Sequence, residues 1–286
     1  MIKIVKIINF VLVAIFIIIT NAKSATFTSQ QSGNWFNTAT WGGSYPGSGD
    51  YVIIQAGHSI TISSSTITSS VDLAGTLNIN SGITLNCSNS FTQTNGTLNI
   101  DGNLSVTNNY SQTSGSTDVA NLASLTASNI TLKSLTLNSG GSINCTNFEV
   151  TGTTNLSGTS NISGNFSISG SAAVSLGTNL SISGVMNLTA GTLTLNANQL
   201  TMNSSINYIT GKINASNSNS TIIIGAAGTA TLNTNWFSST TIGNLTLNRA
   251  VSVTGNFNIV GVLNLTGGNL DISGANTLTL NQDISG

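Results

Sequence analysis

Charge is what this sequence has least of. Of 286 residues only 5% are charged, six Lys or Arg and seven Asp or Glu, with a single His. A typical soluble domain carries about 25%. Six cations cannot build the basic surface that phosphate backbones require, so nucleic-acid binding is excluded. Most acid–base chemistries are short of titratable groups for the same reason. Proline occurs once and cysteine twice. A disordered tail is excluded too, because such tails combine high net charge with few β-branched residues. A helical protein is disfavoured, since Ala, Leu, Glu and Lys do not dominate.

What fills the space is Asn, Ser and Thr, roughly 120 residues together, with 30 Gly and 39% hydrophobic residues. The first 24 residues read as a secretory signal peptide. Lys3 and Lys6 precede an apolar run from Ile7 to Ile19, interrupted by Asn9. Its 13 residues fall short of the ~18–20 that cross a bilayer. Ala22-Lys23-Ser24 places small residues for cleavage before Ala25, and Thr20-Asn21-Ala22 offers a second site. Cleavage before Ala25 leaves Lys133, Lys212 and Arg249 against seven acids, a net charge of −4. The expected location is therefore secreted or on a bacterial cell surface.

Internal repetition is the main signal. GTLNINSGITLNCSNSFTQTNG from Gly75 is followed by GTLNIDGNLSVTNNYSQTSG from Gly96. At an offset of 21, Leu77 maps to Leu98, Ile79 to Ile100, Ile83 to Leu104 and Leu85 to Val106; Phe91 maps to Tyr110 after a two-residue deletion. A longer repeat relates Asn179 onward to Asn256 onward at an offset of 77, which fits four coils of about 19 residues. Within each unit an L-x-L or I-x-I pair is followed by Asn, Gly, Ser or Thr. That is period two, a short strand with one buried face. An antiparallel sandwich and a parallel solenoid both use such strands. In-register repeats of unequal length favour the solenoid, because equivalent residues then stack directly on one another. Stacked like charges at ~4.8 Å repel, whereas amides and hydroxyls form ladders. The expectation is an all-β chain: a right-handed parallel β-helix of roughly eleven coils of 19–21 residues, a rod ~50–55 Å long. The repeats span residues 63–286, and the pattern stops at Asp283-Ile284-Ser285-Gly286 in mid-unit, as a fragment of a longer chain would.

Residues 25–62 do not match the repeat. They hold Trp35, Trp41 and the only proline, Pro46. Pro46-Gly47 and Gly49-Asp50 are turn signals, and Gly57-His58 would turn Val52–Ile54 and Ile60–Ile62 into each other. The expected role is an aromatic N-terminal cap over the first coil. Trp35 and Trp41 are also the candidate carbohydrate contacts, as a stacking platform for a sugar.

The order Trp35, Trp41-Gly42-Gly43, Pro46, Gly49-Asp50, Val52, Ile54, Gly57-His58, Ile60, Ile62 resembles the start of G8-type domains, over about 30 residues. These are extracellular, glycine-punctuated β modules of large surface proteins, some linked to hyaluronan turnover. The later GNFNIVGVLNLTGGNLDISGANTLTLN resembles adhesin-like repeats of bacterial surfaces, of the kind exported by the type IX route. A C-terminal sorting domain of that route is not visible. The resemblances imply extracellular polysaccharide or cell-surface glycans as partners.

Chemistry is hard to place. His58 has Asp50 as its nearest acid in sequence but no nucleophile motif such as G-x-S-x-G. One His and two distant Cys cannot make a zinc site. Cys87 and Cys145 fall three coils apart, ~14 Å, too far for a disulfide. Asp50, Asp72, Asp101, Asp118, Glu149, Asp271 and Asp283 are spread along the chain. Only Asp101 and Asp118 fall near one another, both read as solvated turn residues; glycosidases need a carboxylate pair about 5–9 Å apart. Lys133, Lys212 and Arg249 show no evident partners. Thr-x-Thr triplets at Thr66, Thr192 and Thr277, the type that makes a flat ice-binding face, do not recur at one coil spacing, and their central residue should face inward. The expected function is a non-catalytic structural or adhesin-like surface protein without a cofactor, with a carbohydrate-binding module as the alternative and a polysaccharide-processing enzyme behind it.

Overall fold

The structure is a computed structural model and describes residues 24–272, 274–282 and 284–285. Residues 1–23, and with them all but the last residue of the expected signal peptide, lie outside the described residues, as do Ser273, Asp283 and Gly286. The chain is 53% strand and 3% helix, wound into a parallel β-solenoid of about twelve turns. Each turn contributes a short strand to three faces. Every recorded strand pairing is parallel and joins residues one turn apart.

Stacking gives inward columns on all three faces. On the first face Ile60, Leu77, Leu98, Thr117, Leu135, Thr154, Val174, Leu193 and Ile213 stand in sequence. On the second, Leu85, Leu104, Leu125, Ile143 and Ser160 do so, then Leu180, Leu200, Ile222, Leu245 and Leu263. The third runs Phe27, Val52, Val71, Phe91, Tyr110, Ile130, Phe148, Phe166, Met186 and Ile206. Nearly all of the apolar members are fully buried. Each buried Leu, Ile or Phe stabilises the rod by about 1.5–3 kcal/mol relative to exposure. Because a strand has period two, the alternate residues form outward columns of Asn, Ser and Thr.

Leu77 opposes Leu98 and Ile79 opposes Ile100, the expected register. Past the next corner the offset becomes 19: Leu85, not Ile83, opposes Leu104, and Cys87 opposes Val106. The two missing residues lie in the corner itself. Four residues, Asn80–Ile83, turn the earlier coil, and two, Asp101-Gly102, turn the next. The 77-residue repeat is not four coils either. Leu180 lies on the second face and Phe257 pairs with Leu278 on the first, so the repeat ends one face early. The repeating sequence unit is thus one strand with its corner.

Residues 25–62 join the winding. Thr26–Thr28 pairs with Tyr51–Ile54, and Gly33–Asn34 with Ser59–Ile62, all parallel. Gly57-His58 is a corner between two faces; the strands it joins pair with the coils before and after, not with each other. Thr66–Thr68 is inverted in phase: Ile67 points outward, 47% exposed, while Thr68 is buried. Three strands are longer than the short strands expected: Asn103–Gln112, Ser124–Leu137 and Ser142–Leu156. Corners such as Ser128-Asn129 and Thr146-Asn147 lack glycine and bend as continuous extended backbone, while the Thr151-Gly152 corner keeps one.

Where a corner is tight, glycine is required. Gly96 sits at φ +69°, and a Cβ there would lie 1.7 Å from the Gly75 carbonyl oxygen of the coil before.

Candidate functional site

Trp35 and Trp41 are both in the core, 0% and 6% exposed. The single helical turn Thr38–Trp41 is capped by the Asn37 side chain and by Gly42 in the left-handed conformation. It drops the Trp41 ring edge-on to Trp35, with centroids 5.2 Å apart. The Trp41 indole N–H donates to the Trp35 carbonyl at 2.6 Å, and the Trp35 indole N–H donates to the Pro46 carbonyl at 3.3 Å. Neither ring turns a face to solvent, so the two tryptophans do not form a sugar-stacking platform. Their burial fits packing at the first turn.

The titratable groups are engaged separately. His58 Nδ1 lies 2.8 Å from the Ser29 hydroxyl, not beside Asp50. Ser29 is fully buried and also accepts the Gln55 N–H, so no substrate reaches it. Asp50 accepts from the Ala25 and Gly47 N–H groups. Asp72 accepts the Tyr51 hydroxyl; burial, then this hydrogen bond and the carboxylate charge, push that phenol up to about 12. Asp118 is not in a turn. It points outward from strand Ser116–Val119, above Asn99, and accepts from Asn138. Asp101 lies in the turn after Ile100, so the two carboxylates occupy different places. Glu149 accepts from Ser169. Lys212 does have partners: it donates to the Asn235 carbonyl and the Tyr208 hydroxyl and lies over the Tyr208 ring. Arg249 donates to the Gly228 carbonyl. Both cations tie neighbouring coils together. Among the described residues no three His, Cys, Asp or Glu cluster for a metal ion, and no helix is long and apolar enough to cross a membrane.

Cys87, Val106, Ala127 and Cys145 form one inward column, so the cysteines stand three coils apart and both thiols are free. Burial pushes each thiol up to about 12.

That column underlies a trough of about 750 Å³. It follows the corner from second to third face. Val106, Ala127, Cys145 and Ile162 line its floor, and Ala127 and Cys145 are small enough to dent the surface. Its walls are two outward columns. One is Ser105, Thr126, Asn144, Asn161 and Ser181; the other is Thr107, Ser128, Thr146, Ser163 and Ser183. No charged side chain lines it. Beside it runs an amide ladder: Asn147 donates to Asn129 at 2.8 Å and Asn129 to Asn109 at 2.9 Å. Asn161 donates to Asn144 at 2.7 Å. The expected ladders therefore exist, as charge-free rungs repeating at the coil spacing. The trough itself escaped sequence reading. Its signal is a run of small inward residues where other coils carry Leu or Ile.

No protein-family model matches the chain, and no curated protein or solved structure matches it.

Proposed function

We propose that this chain is an extracellular or cell-surface rod that adheres through neutral polar surfaces, without catalysis. The observation that carries the reading is the trough, a long concavity walled by hydroxyl and amide groups and free of charge. Such a surface binds through many weak hydrogen bonds, each worth about 0.5–1.5 kcal/mol net. Useful avidity then comes from many copies on one surface. A neutral, hydroxyl-rich extended polymer is the complementary ligand, and this favours the carbohydrate-binding reading at the trough, not at Trp35 and Trp41. The carboxylates are scattered, and those of Asp50, Asp72, Asp118 and Glu149 each accept a structural hydrogen bond, which supports a reading without catalysis. The leader-like first 24 residues and the G8-like and adhesin-like resemblances support export.

Two measurements test this. Cell fractionation should find the chain outside the cytoplasm. Purified protein should be retained by a neutral polysaccharide matrix and released when Thr146→Arg and Ser163→Arg fill the trough. Retention unchanged by the double substitution, in a protein of unaltered melting temperature, would remove the trough from the argument.

A further inference from the structure

Among the described residues the first that the fold grips is Ala25, and it is gripped at both ends. Its carbonyl accepts the Tyr51 N–H at 2.8 Å. Its nitrogen donates to Asp50 Oδ1 at 2.9 Å. Thr26 then begins the first strand, opposite Tyr51. The Asp50 carboxylate is held in place without Ala25: Oδ2 accepts the Gly47 N–H at 2.9 Å, and the Asp50 N–H donates back to the Gly47 carbonyl at 3.3 Å. Ser24 and Ala25 are both exposed, so the bond between them lies at the solvent edge of the first turn. Ala22-Lys23-Ser24 in front of it carries the small residues that a leader peptidase requires.

We infer that Asp50 is a receptor for the chain's own processed N-terminus. The inference rests on the export reading. A leader peptidase adds water across the Ser24–Ala25 peptide bond. The C–N bond breaks, Ser24 leaves with the leader as a carboxylate, and the Ala25 nitrogen takes up a proton to become an α-ammonium. A neutral amide N–H facing Asp50 is thereby replaced by a full positive charge with three donors. The hydrogen bond becomes charge-assisted on both sides. Cleavage after Ala22 does not do this, because Lys23 and Ser24 then precede the Ala25 nitrogen, which stays an amide. The pairing gives Thr26–Thr28, the first described strand, an ionic clasp that exists only after export. It would also neutralise one of the seven acids in a chain that retains three side-chain cations.

The experiment is to express the whole chain, Met1 to Gly286, in a secreting host and determine its N-terminus by mass spectrometry. The result expected is Ala25. A start at Lys23 overturns the inference while leaving export intact. An intracellular chain starting at Met1 overturns both. On the secreted protein, the rate at which an amine-reactive ester acylates the Ala25 α-amine at neutral pH is then read from the N-terminal peptide. An ammonium paired with Asp50 should react about threefold or more slowly than the same amine in Asp50→Asn, in line with a solvent-accessible ion pair. Asp101→Asn is the control and should not change the rate. If Asp50→Asn does not fold, the free peptide Ala-Thr-Phe-Thr replaces it as the reference. Equal rates in the folded chain and the reference overturn the receptor.

Discussion

Inside the rod the Tyr110 hydroxyl lies 2.8 Å from the Gln93 side-chain oxygen of the coil before. Thr117 Oγ1 lies 2.6 Å from the same hydroxyl and 2.9 Å from the same oxygen. Two hydroxyl protons thus serve three contacts. The Gln93 amide donates to the Ser116 and Gly96 carbonyls, and Gln112 accepts the Lys133 and Ser134 N–H groups. All four side chains are at most 2% exposed. This cluster fixes the corner between the third and first faces over consecutive coils. Gln93→Leu takes a donor from the Ser116 and Gly96 carbonyls, of which Gly96 keeps the Ser116 N–H, and removes the shared acceptor from the Tyr110 and Thr117 hydroxyls, which keep each other; it should cost about 2–4 kcal/mol at roughly 1–3 per unsatisfied group, with partial relaxation. Tyr110→Phe leaves Gln93 its Thr117 partner and should cost about 1 kcal/mol. Urea denaturation of the two variants checks the order; a Tyr110→Phe loss exceeding that of Gln93→Leu would contradict the arrangement.

That cluster also marks where the sequence stops being readable. Column positions with Leu and Ile were legible because apolar alternation is a burial signal, and stacking repeats it at the same type, as in Leu77 and Leu98. Gln93, Gln112 and Thr117 carry the same residue types as the surface, so only the contacts distinguish them. Corner length was equally silent. Asp101-Gly102 and Asn80–Ile83 have similar turn chemistry, yet they shift the next strand by two residues. Because two is the strand period, the buried face is kept and nothing in the pattern betrays the slip. The trough and the Ala25–Asp50 contact join residues from separate turns and have no local signature.

Leu98 and Asn95 test the register most directly. Leu98 is fully buried between Leu77 and Thr117, while Asn95 is exposed at the preceding corner. Leu98→Lys buries an ammonium without a partner and should unfold the rod or cost several kcal/mol. Asn95→Lys should stay within about 0.5 kcal/mol of the parent. Circular dichroism melting separates the two; equal tolerance would refute the inward column.

Gly96 should be as sensitive as a core residue although it is not apolar. Its positive φ already disfavours any L side chain, and a Cβ has no room beside the Gly75 carbonyl. Gly96→Val should cost more than about 3 kcal/mol, because strain and displacement of the neighbouring coil add. Gly82, also at positive φ but with open space around its Cβ position, isolates the conformational part. Gly82→Ala should cost about 1 kcal/mol. Melting temperatures of the pair give the comparison.

Alkaline pH should weaken the fold through its buried acids. Cys87 and Cys145 rise from 9.0 to about 12 on burial, and Tyr51 rises from 10.0 to about 12. The unfolded chain releases these protons first, so stability is full below pH 9 and falls as pH rises from 9 towards 12. Thermal melts across that range should show the decline, and Cys87→Ala with Cys145→Ala should flatten it while lowering stability at pH 7. A decline of unchanged steepness would assign the effect to the phenols alone. At neutral pH neither thiol should react with a disulfide reagent until the chain unfolds.

Thr154 gives the opposite sign of effect. It occupies an inward position on the first face between Leu135 and Val174, 1% exposed. Its hydroxyl has no hydrogen-bond partner among the described residues. A buried hydroxyl without a partner costs about 1–3 kcal/mol. Thr154→Val keeps the shape and removes that cost, so it should stabilise the rod by about 1 kcal/mol. Val also suits a strand as well as Thr does, so no propensity is lost. Thr117→Val is the matched control, because the Thr117 hydroxyl is shared by Tyr110, Gln93 and Gln112. The same substitution there should destabilise by about 1–3 kcal/mol. Opposite signs at two threonines of one column, separated by Leu135, read from denaturant midpoints, follow only if hydroxyl satisfaction and not side-chain size governs this column.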